Sequence, residues 1–99
     1  MIWHIVRFDF SAIDAATREE LEAALAGLTE MDVVEWLRVG RDVENPEITG
    51  LITALADEDA LAAYRVHPQH TPVVARIREL GIPTVRVDLP TDDDPATLP

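Results

Sequence analysis

The chain has 99 residues, 47% of them hydrophobic, and a net charge of −11 from 19 acidic residues against eight arginines and no lysine. A chain of this length builds one domain around one core. Its negative field repels phosphate backbones and argues against a nucleic-acid partner, and the lack of lysine excludes Schiff-base chemistry and a P-loop lysine. No apolar run reaches the ~20 residues that span a bilayer, so no membrane association is expected.

The first ten residues do not read as a signal peptide, because they carry Arg7 and Asp9 and lack a small-residue cleavage site. The chain also contains no cysteine for disulfides. These two features predict a cytoplasmic protein.

The first half of the chain predicts a strand, a helix and a second strand. Residues 2–10 are rich in β-branched and aromatic residues, which favours a strand with His4, Val6 and Phe8 on one face. Thr17, followed three residues later by Glu20, fits a capping box, so a helix is predicted over residues 17–28. Residues 33–43 predict the second strand.

The second half predicts a hairpin partner, a broken helix and a closing strand. Residues 50–56 form the third strand, and Asp57 caps a helix that Pro68 ends. The helix restarts at Thr71 with proline at its first position, and residues 84–89 form the last strand. Residues 90–99 are acidic and predict a disordered tail behind a domain of residues 1–89.

The resulting order is β-α-β-β-α-β with the second helix broken at His67-Pro68, which is the ferredoxin-like order of an α+β fold. Helices cover one face of such a sheet. The other face still carries Trp3 and Ile5, which is too apolar for water. A homodimer that packs sheet against sheet would bury it.

The segment from Tyr64 to His70 concentrates the acid–base chemistry of the chain, with its one tyrosine and two of its three histidines. Imidazole exchanges a proton near neutral pH, and a phenol can donate a hydrogen bond to a developing oxyanion. His70 is the predicted general base. No HxxxH or CxxC pattern accompanies the segment, so neither a metal site nor a cofactor is predicted.

Three segments resemble the dimeric α/β-barrel family, known as Dabb or the stress-responsive A/B barrel. They are the opening MIWHIVRF of residues 1–8, the Tyr…His-Pro-x-His run within residues 57–70, and the closing VRVDL of residues 85–89. The resemblance spans residues 1–89. It implies a ferredoxin-like protomer that forms a dimeric α/β barrel.

The resemblance also implies candidate site residues. The family includes olivetolic acid cyclase, which closes a polyketide ring by aldol condensation, and the positions of its motif match Tyr64, His70 and His4. In a pocket between sheet and helices, those three would be catalytic. The remaining predicted binding residues are Val6, Phe8, Leu25, Ile77 and His67.

Three hypotheses stay open, and whether the protein is an enzyme is one of the open questions. The first is a pocket for a small aromatic or β-keto ligand, with cyclase-like or lyase-type chemistry at the His/Tyr pair. The second is a non-catalytic, stress-responsive dimer with a filled core, in which the same cluster only joins helix to sheet. The third is an oxygenase-type barrel acting on haem or quinols.

Overall fold

The computed structural model describes residues 1–98 and confirms the β-α-β-β-α-β order with a broken second helix. Two short 3₁₀ turns, at residues 28–30 and 95–97, add to its four strands and three helices. In chain order the elements are β1 Ile2–Asp9, α1 Ala15–Gly27, β2 Val34–Arg41, β3 Ile48–Leu55, α2 Glu58–Val66, α3 Thr71–Glu79 and β4 Thr84–Pro90.

The four strands form one antiparallel sheet in the order β2-β3-β1-β4. The central strand β1 places His4 opposite Thr53 of β3 and opposite Asp88 of β4. Because side chains alternate along a strand, these three residues lie in one row on one face of the sheet.

The hydrophobic core lies between that face and the helices. His4 is buried on the core face beside the apolar residues of β1. The main contributors from the strands and helices are Val6, Phe8, Leu21, Leu25, Leu51, Leu55, Leu61, Tyr64 and Ile77.

The predicted start of α1 is wrong by two residues. The helix begins at Ala15, and Asp14 is its N-cap: the carboxylate Oδ1 accepts a hydrogen bond of 2.7 Å from the backbone N–H of Thr17. Thr17 lies inside the helix and supplies no cap. The predicted cap of α2 is confirmed, because Asp57 Oδ1 accepts from the backbone N–H of Ala60 at 2.8 Å.

The break in the second helix lies where the sequence predicts it. His67 ends α2 in an extended conformation, as a residue before proline must, and Pro72 stands in the first turn of α3. Gly81 follows α3 with φ of +66°, a conformation that favours glycine at a helix C-terminus.

The strand bounds differ slightly from the predicted ones. Strand β3 begins at Ile48, two residues earlier than predicted, and its backbone carbonyl accepts from the N–H of Asp42 at 2.9 Å. Strand β2 also ends two residues earlier than predicted, at Arg41, so the hairpin loop keeps its length and covers residues 42–47 instead of 44–49. No helix within residues 1–98 is long and apolar enough to cross a membrane.

The segment after the domain runs beside β1. Pro90 is still part of β4, the N–H of Thr91 donates to the carbonyl of Met1 at 2.8 Å, and the indole N–H of Trp3 donates to Asp93 at 2.8 Å. Pro99, the last residue of the predicted tail, lies outside the described residues. That this segment forms a disordered tail stays a prediction.

The sheet face that points away from the helices is apolar. Trp3 and Ile5 of β1 are partly exposed there, and the register places them opposite Leu89 and Val87 of β4. Val85, Val87 and Leu89 expose 63%, 46% and 42% of their surface. We call this surface the open sheet face.

Candidate functional site

A cavity of about 690 Å³ opens between the sheet and helix α3. It has an apolar wall from strands β1 and β3 and helices α1 and α3, and a polar wall from β4 and the helix ends. All four apolar residues predicted to line a pocket lie in it: Val6, Phe8, Leu25 and Ile77. Two of the predicted catalytic residues, His4 and His70, lie in the polar wall.

His70 stands at the junction of α2 and α3, half-buried at the edge of the cavity. It occupies the N-cap position of α3, but its side chain caps no backbone N–H. Instead its Nδ1 lies 3.2 Å from the carbonyl oxygen of Arg65. A carbonyl only accepts, so Nδ1 carries the proton and Nε2 keeps its lone pair.

Burial lowers the pKa of His70 below its ordinary 6.5. The hydrogen bond to the Arg65 carbonyl opposes this, and the neighbouring His4 and His67 lower the pKa further. The imidazole is therefore neutral at pH 7, in the form that can accept a proton at Nε2.

Tyr64 packs behind the two imidazoles and is fully buried. Its ring centroid lies 4.4 Å from that of His70 and 5.1 Å from that of His4. Burial raises the pKa of the phenol, which keeps it protonated. The structure therefore brings Tyr64, His70 and His4 together, but Tyr64 is not part of the cavity wall.

The hydroxyls of Tyr64 and Thr53 are neighbours, and the Thr53 hydroxyl opposes the rise in the pKa of Tyr64. Neither hydroxyl makes a hydrogen bond of normal geometry to another described residue. Buried hydroxyls usually have a partner. Among residues 1–98, the two hydroxyls share this situation with Arg18 Nε, which is also buried without a hydrogen-bond partner.

His4 is held by a carboxylate that the sequence analysis did not identify. Its Nδ1 lies 2.5 Å from Asp88 Oδ1, and the guanidinium of Arg65 donates to Asp88 Oδ2 at 3.1 Å. Burial alone would raise the pKa of Asp88, but these contacts with His4 and Arg65 outweigh it and hold the pKa below its ordinary value. The carboxylate at Nδ1 fixes the orientation of the His4 ring, and Nε2 is the ring nitrogen that remains for other contacts.

His67 does not line the cavity. Its Nδ1 accepts a hydrogen bond of 3.1 Å from the backbone N–H of Gln69, and its Nε2 lies 3.4 Å from the carboxylate of Asp32. The structure therefore places this predicted binding residue in the turn between α2 and α3.

Sequence reasoning also missed three arginines in the cavity wall, Arg65, Arg78 and Arg86. A signal for Arg86 was present, because polar residues at 84, 86 and 88 alternate with apolar ones along β4. The apolar set faces away from the helices, so the polar set faces the cavity. Among the described residues, no group of three or more His, Cys, Asp or Glu side chains could hold a metal ion.

The family model of the stress-responsive A/B barrel domain matches residues 2–90, nearly the whole chain. The chain belongs to the Dabb family. No protein with a curated description matches it in sequence.

Several solved structures share the fold of this Dabb protein. A protein from Deinococcus radiodurans, provisionally described as an antibiotic biosynthesis monooxygenase, is 17% identical with a TM-score of 0.82 over 95% of both chains. A dimeric ferredoxin-like protein of unknown function from Jannaschia sp. CCS1 is 25% identical, with a TM-score of 0.72 over 91% of this chain and 98% of the other. SnoaB, a cofactor-independent oxygenase from Streptomyces nogalater, is 14% identical with a TM-score of 0.74 over 94% of both.

Proposed function

We propose that this Dabb protein binds a small aromatic or β-keto compound in the cavity and removes a proton from it with His70. The observation that carries the proposal is the state of His70: a neutral imidazole at the edge of a largely apolar cavity, with Nδ1 engaged by a backbone carbonyl and Nε2 free to accept. A general base needs this combination of access, tautomer and pKa near the working pH.

The proposed reaction begins at a carbon flanked by carbonyl groups. Nε2 of His70 takes its proton and leaves an enolate, while the Nδ1–H bond to the Arg65 carbonyl stabilises the imidazolium. The carbanion then adds to a second carbonyl carbon of the same molecule, which closes a ring. The alkoxide formed takes the proton back from His70, so protons and charge balance.

His4 and Tyr64 have different parts in this scheme. His4, fixed by Asp88, forms a wall of the pocket. Tyr64 holds both imidazoles through ring contacts, and its hydroxyl lies beside that of Thr53, outside the cavity lining. This assignment keeps the His/Tyr pair of the cyclase-like hypothesis.

A second candidate differs only in what happens to the carbanion. The descriptions of the Deinococcus and Streptomyces neighbours as oxygenases favour reaction of the carbanion with O₂. In that case the carbanion forms a C–O bond with O₂, the His70 imidazolium protonates the resulting peroxide, and loss of water from the hydroperoxide leaves a carbonyl; one oxygen atom stays on the oxidised substrate and the other is reduced to water. Proton removal by His70 is common to both candidates.

The proposed active form is a homodimer that buries the open sheet face. The Jannaschia neighbour is described as dimeric, and an exposed apolar surface on a sheet is a typical protein–protein interface. Closure through two sheets would give the dimeric barrel that the family resemblance implies.

The non-catalytic alternative requires a filled core, and the cavity of about 690 Å³ is the observation against it. It also requires the Tyr64 hydroxyl to stabilise the fold. That hydroxyl makes no regular hydrogen bond to a described residue, so Tyr64→Phe should change the free energy of unfolding by less than about 1 kcal/mol.

The decisive experiment measures hydrogen–deuterium exchange at the acidic carbon of a β-keto thioester, with wild type, His70→Gln and His67→Gln. We expect wild type and His67→Gln to accelerate exchange over buffer, and His70→Gln to lose about 100-fold or more of that acceleration. Thermal unfolding and size-exclusion chromatography of each variant check that its fold and its assembly match those of wild type. Equal acceleration by His70→Gln would refute the assignment of the base.

A further inference from the structure

The polar wall of the cavity is positively charged in a strongly acidic protein. Three of the eight arginines, Arg65, Arg78 and Arg86, line this one cavity, and no Asp or Glu belongs to its lining. Arg65 is neutralised by Asp88 at 3.1 Å. Arg78 and Arg86 have no carboxylate within ion-pair distance among residues 1–98.

The fold explains why both of these side chains line the same cavity. Arg86 is opposite Val6 in the β1–β4 register, so it lies on the helix-facing side of the edge strand. Arg78 is on the last turn of α3, one turn beyond Val74, which also lines the cavity. The apolar wall formed by Val6 and Ile77 lies between this charged edge and the rest of the core.

We infer that the ligand carries one anionic group, and that Arg78 and Arg86 bind it while its apolar body enters the cavity. The inference rests on the proposed function and specifies its substrate class: an aromatic or β-keto acid rather than a neutral ketone. Guanidinium pairs bind carboxylate and phosphate through charge-assisted, often bidentate, hydrogen bonds. The overall charge of −11 would repel such a ligand everywhere else, so the local pair provides both attraction and orientation.

The orientation follows from where the polar groups lie around the opening. His70 lines the same cavity at the N-terminal end of α3, whereas Arg78 lies in the last turn of that helix, so the ligand would extend from the anion site across the cavity to the base. The hydroxyl of Thr84, also in the lining, already donates to the backbone carbonyl of Ile82 at 3.1 Å, so the two arginines are the donors to the anion. A ligand anchored there by its anion would direct its apolar body, and an acidic carbon at the far end of it, towards the base.

A competing explanation is that Arg86 only discourages pairing at the edge of the sheet, as charged residues on edge strands commonly do. That role gives no preference between a charged and a neutral ligand. A comparison of matched probes therefore separates the two explanations.

The test is calorimetric binding of 4-phenylbutanoate, its neutral amide and 3-phenylpropyl phosphate to wild type, Arg78→Gln, Arg86→Gln and the control Arg76→Gln. Arg76 is on the same helix, paired with Glu79 at 3.9 Å and absent from the cavity lining. We expect wild type to bind the acid about tenfold more tightly than the amide, and Arg78→Gln and Arg86→Gln each to lose most of that preference. Arg76→Gln should behave as wild type.

The outcomes are distinct. Acid and amide binding with equal affinity to wild type would overturn the anion inference and leave the pocket and its base standing. An acid preference together with absent proton exchange would support the inference and refute the catalytic step. A phosphate probe that binds more tightly than the acid would assign the anion to a phosphorylated carrier, and loss of binding by Arg76→Gln to the same extent as Arg86→Gln would overturn the site.

Discussion

At the scale of single residues, the site depends on how two imidazoles are fixed. His70 donates from Nδ1 to a backbone carbonyl, whereas His4 has a carboxylate at the same ring atom. The first arrangement leaves a neutral base at the cavity. The second holds a ring in the wall. The same residue type therefore has two different roles. The difference comes from the group at Nδ1, which is a backbone carbonyl for His70 and a carboxylate for His4.

The lowered pKa of His70 predicts a specific dependence of stability on pH. Just below pH 6.5, the unfolded chain binds a proton at this residue and the folded chain does not. The contribution of His70 to stability is therefore fully present above pH 6.5 and is lost as the pH falls from 6.5 through the lowered pKa of the folded state. The carboxylates with lowered pKa values, such as Asp88 and Glu22, lose their contributions only at lower pH, near and below about 4.

Urea unfolding at about pH 5.5 and about pH 7.5 measures this contribution. Wild type should be less stable at the lower pH, and His70→Gln should show a smaller difference between the two. The control is His67→Gln, which changes an imidazole outside the cavity; it removes only the smallest of the influences on the pKa of His70 and should keep most of the wild-type difference. Identical pH dependence in wild type and His70→Gln would contradict the assigned environment.

At the scale of elements, the sequence predicts the order and nature of every helix and strand but not every end. Two caps were available before the first helix, because a carboxylate at 14 and a hydroxyl at 17 can both accept a backbone N–H. The structure uses Asp14, so the helix begins two residues earlier, at Ala15. Local patterns cannot decide between two competing caps when the length of the preceding loop is unknown.

Two substitutions test which cap operates. Asp14→Ala removes the acceptor of the 2.7 Å bond to the Thr17 N–H and should lower the free energy of unfolding by about 1 kcal/mol. Thr17→Ala should change it by less than about 0.5 kcal/mol, because its hydroxyl caps nothing and alanine favours helix. Denaturant titration of both variants gives the answer, and a larger loss for Thr17→Ala would restore the predicted cap.

The site was predictable to the extent that its residues lie close in the sequence. Tyr64 and His70 are six residues apart across a proline break, and His4 lies on the predicted inner face of its strand, so their meeting could be anticipated. The partnership of His4 with Asp88 could not, because it depends on the β1–β4 register over 84 intervening positions. The helix-facing side of Arg86 could be anticipated from the alternation along β4, but its position opposite Val6 depends on the same register.

At the scale of the whole molecule, the open sheet face predicts the assembly. Val87 lies near its centre, paired with Ile5 and 46% exposed, in a row of apolar side chains on β4. In a twofold interface the same surface of both protomers is used, so each of these residues would be buried in both copies. A charge placed there would be desolvated in both copies, which costs several kcal/mol unless it is paired.

Val87→Asp should therefore convert a dimer into a monomer at micromolar concentration, as measured by light scattering after size-exclusion chromatography. The matched control is Val43→Asp in the β2–β3 loop, where the side chain is 96% exposed and lies off the open sheet face. It adds the same charge and should leave the dimer intact. If both variants remain dimeric, the interface lies elsewhere; if wild type is itself monomeric, the open sheet face is not a self-association surface. Loss of the dimer in Val87→Asp alone would place the second copy on this face, opposite the helices and the cavity, so each protomer would keep a separate opening for its own ligand.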